Sequence, residues 1–338
     1  MLLSELTTMR VGGTAATLVT PSTGHDLIAV ALETWATGDD WLVLGGGSNV
    51  VISDDGFDGT VIRVATRGIE RLPGDPVRLR VQAGEPWDAL VAFTVNQGWS
   101  GIEALSGIPG CSGAAPIQNI GAYGQELSSV LVGIDFLDYL TGELVHIPAA
   151  DLGLAYRTST LKQGREGVVI AIVMQLSESD TSVVRYEQLA TALGVAVGDS
   201  VPARDVRASV LALRASKGMV LDPADPDSVS CGSFFTNPIV SENFARNIPG
   251  NPPQWLEPDD VNVKLSAAWL IEQSGIGRGF ALPGSRAAIS SKHTLAITNR
   301  GGATAAQVAE LARYVQARVL SQFGIRLAAE PVGVGVAL

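Results

Sequence analysis

Apolar positions along the chain fall into short runs and amphipathic stretches that alternate from one end to the other. Runs rich in apolar and β-branched residues predict strands at 42–44, 60–64, 134–140 and 168–176. The run at 134–140 is followed by Thr141-Gly142 and a further apolar run, which predicts a hairpin. All of these runs are far shorter than the ~20 apolar residues of a membrane-spanning helix. The pattern therefore predicts an α+β globular protein.

Helical spacing of apolar residues marks three further segments. Residues 21–35 and 86–96 predict helices, and Gly98 stands where the second would end. The best-defined helix begins at Thr304, which forms a capping-box pattern with Gln307, and Gly324 stands at its expected left-handed end. Residues 247–260 are rich in Pro, Asn and Asp and predict an irregular surface loop.

Composition narrows the class of protein. A length of 338 residues suits two or three domains, and a net charge of -11 argues against binding to nucleic acid or to an anionic membrane. The chain has only two cysteines, Cys111 and Cys231, which is too few for a disulfide scaffold. Its His, Cys, Asp and Glu residues do not show the spacing of metal ligands. The N-terminus lacks the pattern of a signal peptide, so we expect a cytoplasmic location. A monomer is the default expectation, and the spacing of possible ligands predicts no metal.

Two glycine-rich segments are candidates for ligand contact. In the first, 44–50, glycines after a strand allow backbone N–H groups to approach a phosphate, although a tight turn without ligand is an equally good interpretation. Val50 replaces the third glycine of a dinucleotide fingerprint, and no phosphate-loop lysine follows. The second, 107–124, has no charged residue. A surface loop would carry more charge, so contact with a flat ligand is favoured there.

A series of motifs then occurs in a fixed order along almost the whole chain. They are Thr7-Thr8-Met9-Arg10-Val11-Gly12-Gly13-Thr14-Ala15, Gly45-Gly46-Gly47-Ser48-Asn49, Gly107-Ile108-Pro109-Gly110, Gln118-Asn119-Ile120-Gly121-Ala122-Tyr123-Gly124, Tyr156-Arg157-Thr158-Ser159, Gly232-Ser233-Phe234-Phe235-Thr236-Asn237-Pro238, Lys264-Leu265-Ser266-Ala267-Ala268-Trp269-Leu270-Ile271 and Glu330-Pro331. In these motifs the chain resembles the UDP-N-acetylenolpyruvoylglucosamine reductases, the MurB family. The Gly-Ser-Phe-Phe-x-Asn-Pro motif is the most specific of them.

The resemblance implies a fold and a division into domains. It implies a non-covalent FAD-binding fold of two subdomains, of the vanillyl-alcohol oxidase superfamily, and a C-terminal α+β substrate-binding domain. The expected boundaries are 1–66 with 325–338 for the first FAD subdomain, 67–207 for the second and 208–324 for the substrate domain. Residues 247–260 stand where some members carry a loop that closes over substrate with a tyrosine. Here Trp255 is the nearest aromatic residue.

The resemblance also implies a reaction. NADPH reduces FAD, and flavin N5 then passes a hydride to the terminal carbon of the enolpyruvyl group, so that negative charge spreads into the neighbouring carboxylate. Arg157 is expected to balance that charge, Ser233 to donate the proton, and Glu330, if protonated, to stabilise the enolic carboxylate. Their ordinary alternatives are a surface ion pair for Arg157, a turn or cap serine for Ser233, and an exposed strand residue for Glu330.

Ligand-contacting residues follow by the same resemblance. Substrate is expected to contact Tyr186, Arg214, Lys217 and Asn237, with a solvated helix end or a locally satisfied polar group as the alternatives. FAD is expected to lie against Gly45, Gly46, Gly47, Ser48, Asn49, Gly107, Ile108, Pro109, Gly110, Gln118, Asn119, Gly121, Ala122 and Tyr123.

Two other functions are compatible with the same scaffold. The first is a flavin oxidase of small alcohols or hydroxy acids, in which the Gly-Ser-Phe-Phe motif and Glu330 would have no obvious task. The second is a non-catalytic nucleotide-sugar binding protein, which would be expected to have lost at least one of Ser233, Arg157 and Glu330. Because all three are present, the reductase is the favoured interpretation.

Overall fold

A computed structural model describes all 338 residues. Its helices are α1 (Gly24–Thr37), α2 (Trp87–Asn96), α3 (Glu187–Leu193), α4 (Ala203–Ser216), α5 (Glu242–Arg246), α6 (Ala267–Gln273) and α7 (Ala305–Phe323). Its strands are β1 (Ala15–Val19), β2 (Trp41–Leu44), β3 (Val50–Ile52), β4 (Phe57–Arg63), β5 (Ile69–Leu72), β6 (Arg78–Gln82), β7 (Trp99–Ser100), β8 (Gly121–Ala122), β9 (Gln125–Glu126), β10 (Leu131–Asp138), β11 (Leu144–Pro148), β12 (Gly167–Gln175), β13 (Ser177–Glu178), β14 (Thr181–Val183), β15 (Ser200–Pro202), β16 (Ile239–Ser241), β17 (Gln254–Leu256), β18 (Asn262–Leu265), β19 (Ala287–Ile289), β20 (Ile297–Asn299) and β21 (Val332–Val334).

The chain folds into two compact units, each built from separated segments. The first unit comprises Ala15–Gly47 and Asp58–Ser216. Its largest sheet has five antiparallel strands in the order β11-β10-β12-β6-β5. Strand β12 lies at the centre of that sheet, and its residues from Val168 to Met174 are all buried, as a continuous apolar run requires.

The second unit comprises Met1–Thr14, Ser48–Phe57 and Lys217–Leu338. It contains the antiparallel sheets β16-β18-β17 and β19-β20, and β21 pairs with β3 in parallel. Its core includes Met9 and Val51 beside the apolar face of α7, so all three segments contribute buried side chains. Helix α7 is amphipathic and buries Val308, Leu311 and Val315.

Most of the elements predicted from apolar spacing are present. The hairpin β10–β11 forms with Ile134 opposite Ile147. Helix α7 begins with the complete capping box of Thr304 and Gln307, and Gly324 ends it with φ 68°. The prediction of an irregular loop at 247–260 is wrong in one place, because β17 pairs with β18 there. All three residues of β17 are exposed, so this strand carries no apolar alternation that could have revealed it.

Candidate active site

Within the first unit, the glycines that follow β2 lie against the second glycine-rich segment, 107–124. Gly46 follows β2, and a Cβ atom on it would stand 2.6 Å from Cα of Gly110. Backbone hydrogen bonds hold the second segment in place, from the Trp87 N–H to Gly110 O (3.1 Å) and from the Gly113 N–H to Ala83 O (2.7 Å). The close approach leaves main chain without side chains at this position, which is the kind of surface that a flavin or its pyrophosphate requires. These residues therefore fit FAD.

The segment 118–124 has a strained backbone. Asn119 and Tyr123 have φ values of 43° and 48°, in the left-handed region that favours glycine. The Asn119 side chain stabilises this shape, because its Oδ1 accepts the Ser128 N–H (2.9 Å) and its Nδ2 donates to Ala155 O (3.2 Å) and to Glu126 (3.2 Å). With its amide engaged in this way, Asn119 can offer FAD its backbone, while the side chain shapes the loop. Strain that is held in place in this manner is common at ligand sites.

Arg157 lies beside that segment and shares its strain, with φ 55°. Its guanidinium donates to Gly121 O at 2.7 Å and to Asn119 O at 3.4 Å, and it lies over the Tyr156 ring at 5.5 Å. The carbonyl groups of the predicted cofactor segment thus hold the half-buried, permanently charged guanidinium in one orientation. The geometry suits a cation that must stay in one place while charge develops on a neighbouring substrate.

Tyr123, Tyr186 and Arg214 form a cluster with Arg157 in the first unit. The rings of Tyr123 and Tyr186 meet edge to face, with centroids 5.7 Å apart. Burial raises the pKa of Tyr123 and lowers the pKa of Arg214, and the positive charge of Arg157 lowers the Arg214 pKa further. The structure thus brings together residues predicted separately for catalysis, for the cofactor and for substrate.

Asp88 was not predicted from the sequence, yet it joins two parts of this region. On α2, its carboxylate accepts the Gly107 N–H at 2.6 Å and a bidentate pair of bonds from Arg207 at 2.6 and 2.8 Å. Arg207 lies two turns before Arg214 on α4. Burial raises the pKa of Asp88, but the hydrogen bonds from Arg207 and Gly107 and the positive charge of Arg207 together outweigh it, so the pKa is lowered. No local sequence signal marks Asp88, because its partners are distant in the chain.

Ser233 and Glu330 lie on adjacent segments of the second unit. Phe234 joins them: its N–H donates to Leu295 O at 2.7 Å, and its carbonyl accepts the Glu330 N–H at 2.9 Å. Asn49, predicted to contact FAD, donates from Nδ2 to Glu330 O at 3.2 Å. Ser233 therefore stands one residue from a backbone position that is fixed on both sides.

The remaining predicted residues of the second unit have defined surroundings. Asn237 Oδ1 accepts the Ala267 N–H at 3.0 Å, at the start of α6. Lys217 follows α4 and is close enough to His293 to help lower its pKa to about 4. Burial is the main cause of that shift. A neutral imidazole beside a lysine leaves positive charge at this point in the site.

Cys231 precedes Gly232-Ser233 and is buried. Its Sγ lies 3.4 Å from Val50 O. Burial raises the pKa of the Cys231 thiol to about 12, and the nearby Glu330 adds to the shift. Burial likewise raises the pKa of Cys111, and both cysteines are free thiols. The raised pKa values disfavour the thiolate, which is the reactive form of a cysteine.

Comparison with known proteins decides the family. A model named FAD binding domain matches residues 15–148, and a model named UDP-N-acetylenolpyruvoylglucosamine reductase, C-terminal domain, matches residues 223–334. The UDP-N-acetylenolpyruvoylglucosamine reductase of Leifsonia xyli subsp. xyli is 58% identical, over 99% of this chain and 98% of that protein. The chain belongs to the UDP-N-acetylenolpyruvoylglucosamine reductase family.

Further members of the UDP-N-acetylenolpyruvoylglucosamine reductase family are similar to this chain along nearly its full length. The reductase of Salinispora arenicola is 49% identical over 99% of this chain and 95% of its own length. The crystal structure of the Thermus caldophilus reductase (MurB) superposes with a TM-score of 0.68 at 28% identity, covering 99% of this chain and 97% of that one. The predicted family, the α+β fold with an FAD-binding part and a C-terminal domain, and the oxidoreductase class are confirmed.

Membership of the reductase family gives the chain its broad role. It is an FAD-binding reductase of peptidoglycan precursor synthesis. Among its helices, none combines the length with the apolar character that crossing a membrane demands. No group of three or more His, Cys, Asp or Glu side chains is arranged to hold a metal ion.

Proposed function

We propose that the chain reduces UDP-N-acetylenolpyruvoylglucosamine to UDP-N-acetylmuramate, as a cytoplasmic monomer, with NADPH as the hydride source. The names of its relatives supply the substrate class, and the residues of the two units support the chemistry. In this proposal FAD lies against 1–66 with 325–338 and against 67–207, and substrate lies against 208–324. When bound, FAD supplies the hydride transfer between NADPH and the enolpyruvyl double bond.

The chain's own residues hold charge and move a proton. Arg157 balances the negative charge that spreads into the substrate carboxylate, since its guanidinium is permanently charged and held by Gly121 O. Glu330, in its protonated form, donates to the same carboxylate. Ser233 gives its hydroxyl proton to the carbon next to that carboxylate, which completes the lactyl ether, and regains a proton from solvent.

The single observation that carries this assignment is the position of Phe234. Its backbone is hydrogen-bonded to Leu295 and to Glu330, so the main chain at Ser233 is held on a segment next to Glu330. A proton donor must be held close to one carbon, and a fixed main chain on either side of the serine supports that role. Tyr186, Arg214, Lys217 and Asn237 are proposed to orient the substrate, with Lys217 at a phosphate.

Anaerobic stopped-flow at the flavin absorbance band tests the proposal in its two halves. We expect NADPH to bleach the flavin of the Ser233→Ala variant at the wild-type rate. Substrate should then restore the colour about 10²–10⁴-fold more slowly than in wild type, since a positioned general acid contributes that much. Ser321→Ala, an exposed serine on α7, is the matched control and should behave as wild type.

Three results would contradict the proposal at different points. Wild-type reoxidation rates in Ser233→Ala would remove Ser233 from the proton step. A Glu330→Gln variant that turns over like wild type would remove Glu330. If NADPH does not bleach the flavin, or if alcohols bleach it and air restores it, the hydride source or the reaction itself is wrong.

A further inference from the structure

Glu103 is a fully buried acid that the proposed chemistry does not use. It lies in a short 3-10 helix, Glu103–Leu105, and its side chain has no ion-pair partner. Its Oε2 accepts the Gly101 N–H at 2.6 Å, and its Oε1 accepts both the Gln125 amide at 2.5 Å and the Ser182 hydroxyl. Burying a carboxylate without a cation is costly, so three directed donors at one buried acid need an explanation.

The three donors come from separate segments of the first unit. Gln125 lies on β9, and its side-chain Oε1 also accepts the Ala104 N–H at 2.8 Å. Ser182 lies on β14, four residues before Tyr186. Glu103 thus ties the β8–β9 hairpin and the segment that leads to Tyr186 to one point, and the Gln125 amide is held in a single orientation.

Those two segments carry the cluster described above. Across the hairpin, Gln125 pairs with Ala122, next to the Gly121 carbonyl that binds Arg157. The turn residue Tyr123 meets Tyr186 edge to face, and Gly124 approaches Arg185 so closely that a Cβ would lie 2.9 Å from that residue's Cβ. The hydrogen bonds of Glu103 therefore set the distance between the β8–β9 hairpin and the segment from β14 to Tyr186.

We propose that Glu103 is a positioning residue for reduction of the substrate, acting through Gln125 and Ser182 on Arg157, Tyr123 and Tyr186. The proposal rests on the role given to Arg157 in the proposed function. A small displacement of a charge-stabilising group can slow a reaction by about 10²-fold, because the charge develops at a fixed point. A buried acid without a cation suits this task, since it accepts from several donors at once and needs no mobile partner.

The donor and acceptor pattern predicts which substitutions are tolerated. In Glu103→Gln, the new amide oxygen can face the Gly101 N–H or the Gln125 amide, and in either case its NH₂ group faces another donor. Adding Gln125→Glu removes the conflict: the residue-103 amide donates to the new carboxylate, its oxygen accepts from Gly101, and the Ala104 N–H keeps an acceptor. The exchanged pair has the same atoms and volume as the native pair.

The test is stopped-flow reoxidation by substrate of NADPH-reduced holoenzyme, with FAD content and melting temperature measured on each variant. We expect Glu103→Gln to retain FAD, to be bleached by NADPH within about 2-fold of the wild-type rate, and to be reoxidised by substrate about 10-fold more slowly. Adding Gln125→Glu should bring reoxidation back to within about 3-fold of wild type. Glu143→Gln, in the exposed turn of β10–β11, is the matched control and should change neither rate.

The outcomes separate this inference from the proposed function. Fast reoxidation of Glu103→Gln, or a double variant that binds FAD and is as slow as the single one, would overturn the positioning role. If substrate fails to reoxidise wild type, the proposed function fails instead. Should Glu103→Gln not fold, Ser182→Ala provides the measurement, with an expected slowing of about 3-fold in the substrate half-reaction alone; no change there would also reject the network.

Discussion

His293 occupies a position in which its protonated form is unfavourable. Burial is the main reason that its pKa falls to about 4, Lys217 and Arg278 lower it further, and Glu272 opposes them. An unfolded histidine titrates near 6.5. Between these values the unfolded chain binds a proton that the folded chain does not, so acidification favours unfolding. This destabilisation of the folded state is absent above pH 7 and grows as the pH falls toward 4.

A variant isolates this effect. Between pH 7 and pH 5, His293 is expected to lower the free energy of unfolding by about 2 kcal/mol. His293→Gln removes the titration, so its stability should fall less over the same interval than that of wild type, as measured by urea denaturation. His25→Gln, on the exposed start of α1, is the control and should keep the wild-type pH slope. Equal slopes for all three proteins would reject the assignment.

Helix α7 shows how an element depends on a residue far away in sequence. Its own Thr304 accepts the Gln307 N–H at 3.1 Å. Asp54, from the loop after β3, accepts the Ala305 and Ala306 N–H groups at 2.8 and 3.0 Å. Three of the free N–H groups at the helix start are thereby satisfied, and the carboxylate complements the positive end of the helix dipole.

Removal of that distant cap should be measurable. We expect Asp54→Ala to lower the free energy of unfolding by about 1–2 kcal/mol, because two N–H groups lose an acceptor and the helix loses a favourable charge. Its neighbour Asp55→Ala is the control, with an expected change below about 0.5 kcal/mol for an exposed substitution. Thermal denaturation of both variants checks the pair; equal melting temperatures would show that the cap adds no stability.

Local signals in the sequence predicted the elements that depend on neighbouring residues. The hairpin β10–β11 and both ends of α7 were predicted because turn and cap residues lie within a few positions of one another. The same signals did not predict the parallel pairing of β3 with β21, because nothing in the sequence of either strand specifies a partner so distant. Strand β17 lacked alternation altogether.

The candidate site divides in the same way. Motifs predicted roles for Arg157 and Ser233 because their neighbours are characteristic of a family, and these roles stay predictions. Glu103 and Asp88 escaped notice, since the donors that surround each of them converge only in the folded chain. An acid inside the apolar run of 102–105 was the one available signal for Glu103.

Over the whole molecule, the two units do not follow the order of the sequence. The second unit takes Met9, Val11 and Val51 into its core from segments that precede most of the first unit. Residues 217–338 expressed alone should therefore remain without cooperative packing, because these buried side chains would leave cavities that each cost about 2–4 kcal/mol. Near-UV circular dichroism during heating tests this; a sharp transition in the fragment would contradict it.

The pairing of β21 with β3 has a consequence for biosynthesis. Strand β3 is translated long before its partner β21, because all of the chain between Ile52 and Val332 comes first. Folding during synthesis generally proceeds from the N-terminal side, and most of the first unit, 58–216, precedes the last segment of the second unit in the chain. Residues 1–14 and 48–57 belong to the second unit, so their packing cannot be completed until residues 217–338 have been translated. The second unit therefore completes its core only after β21 has been translated.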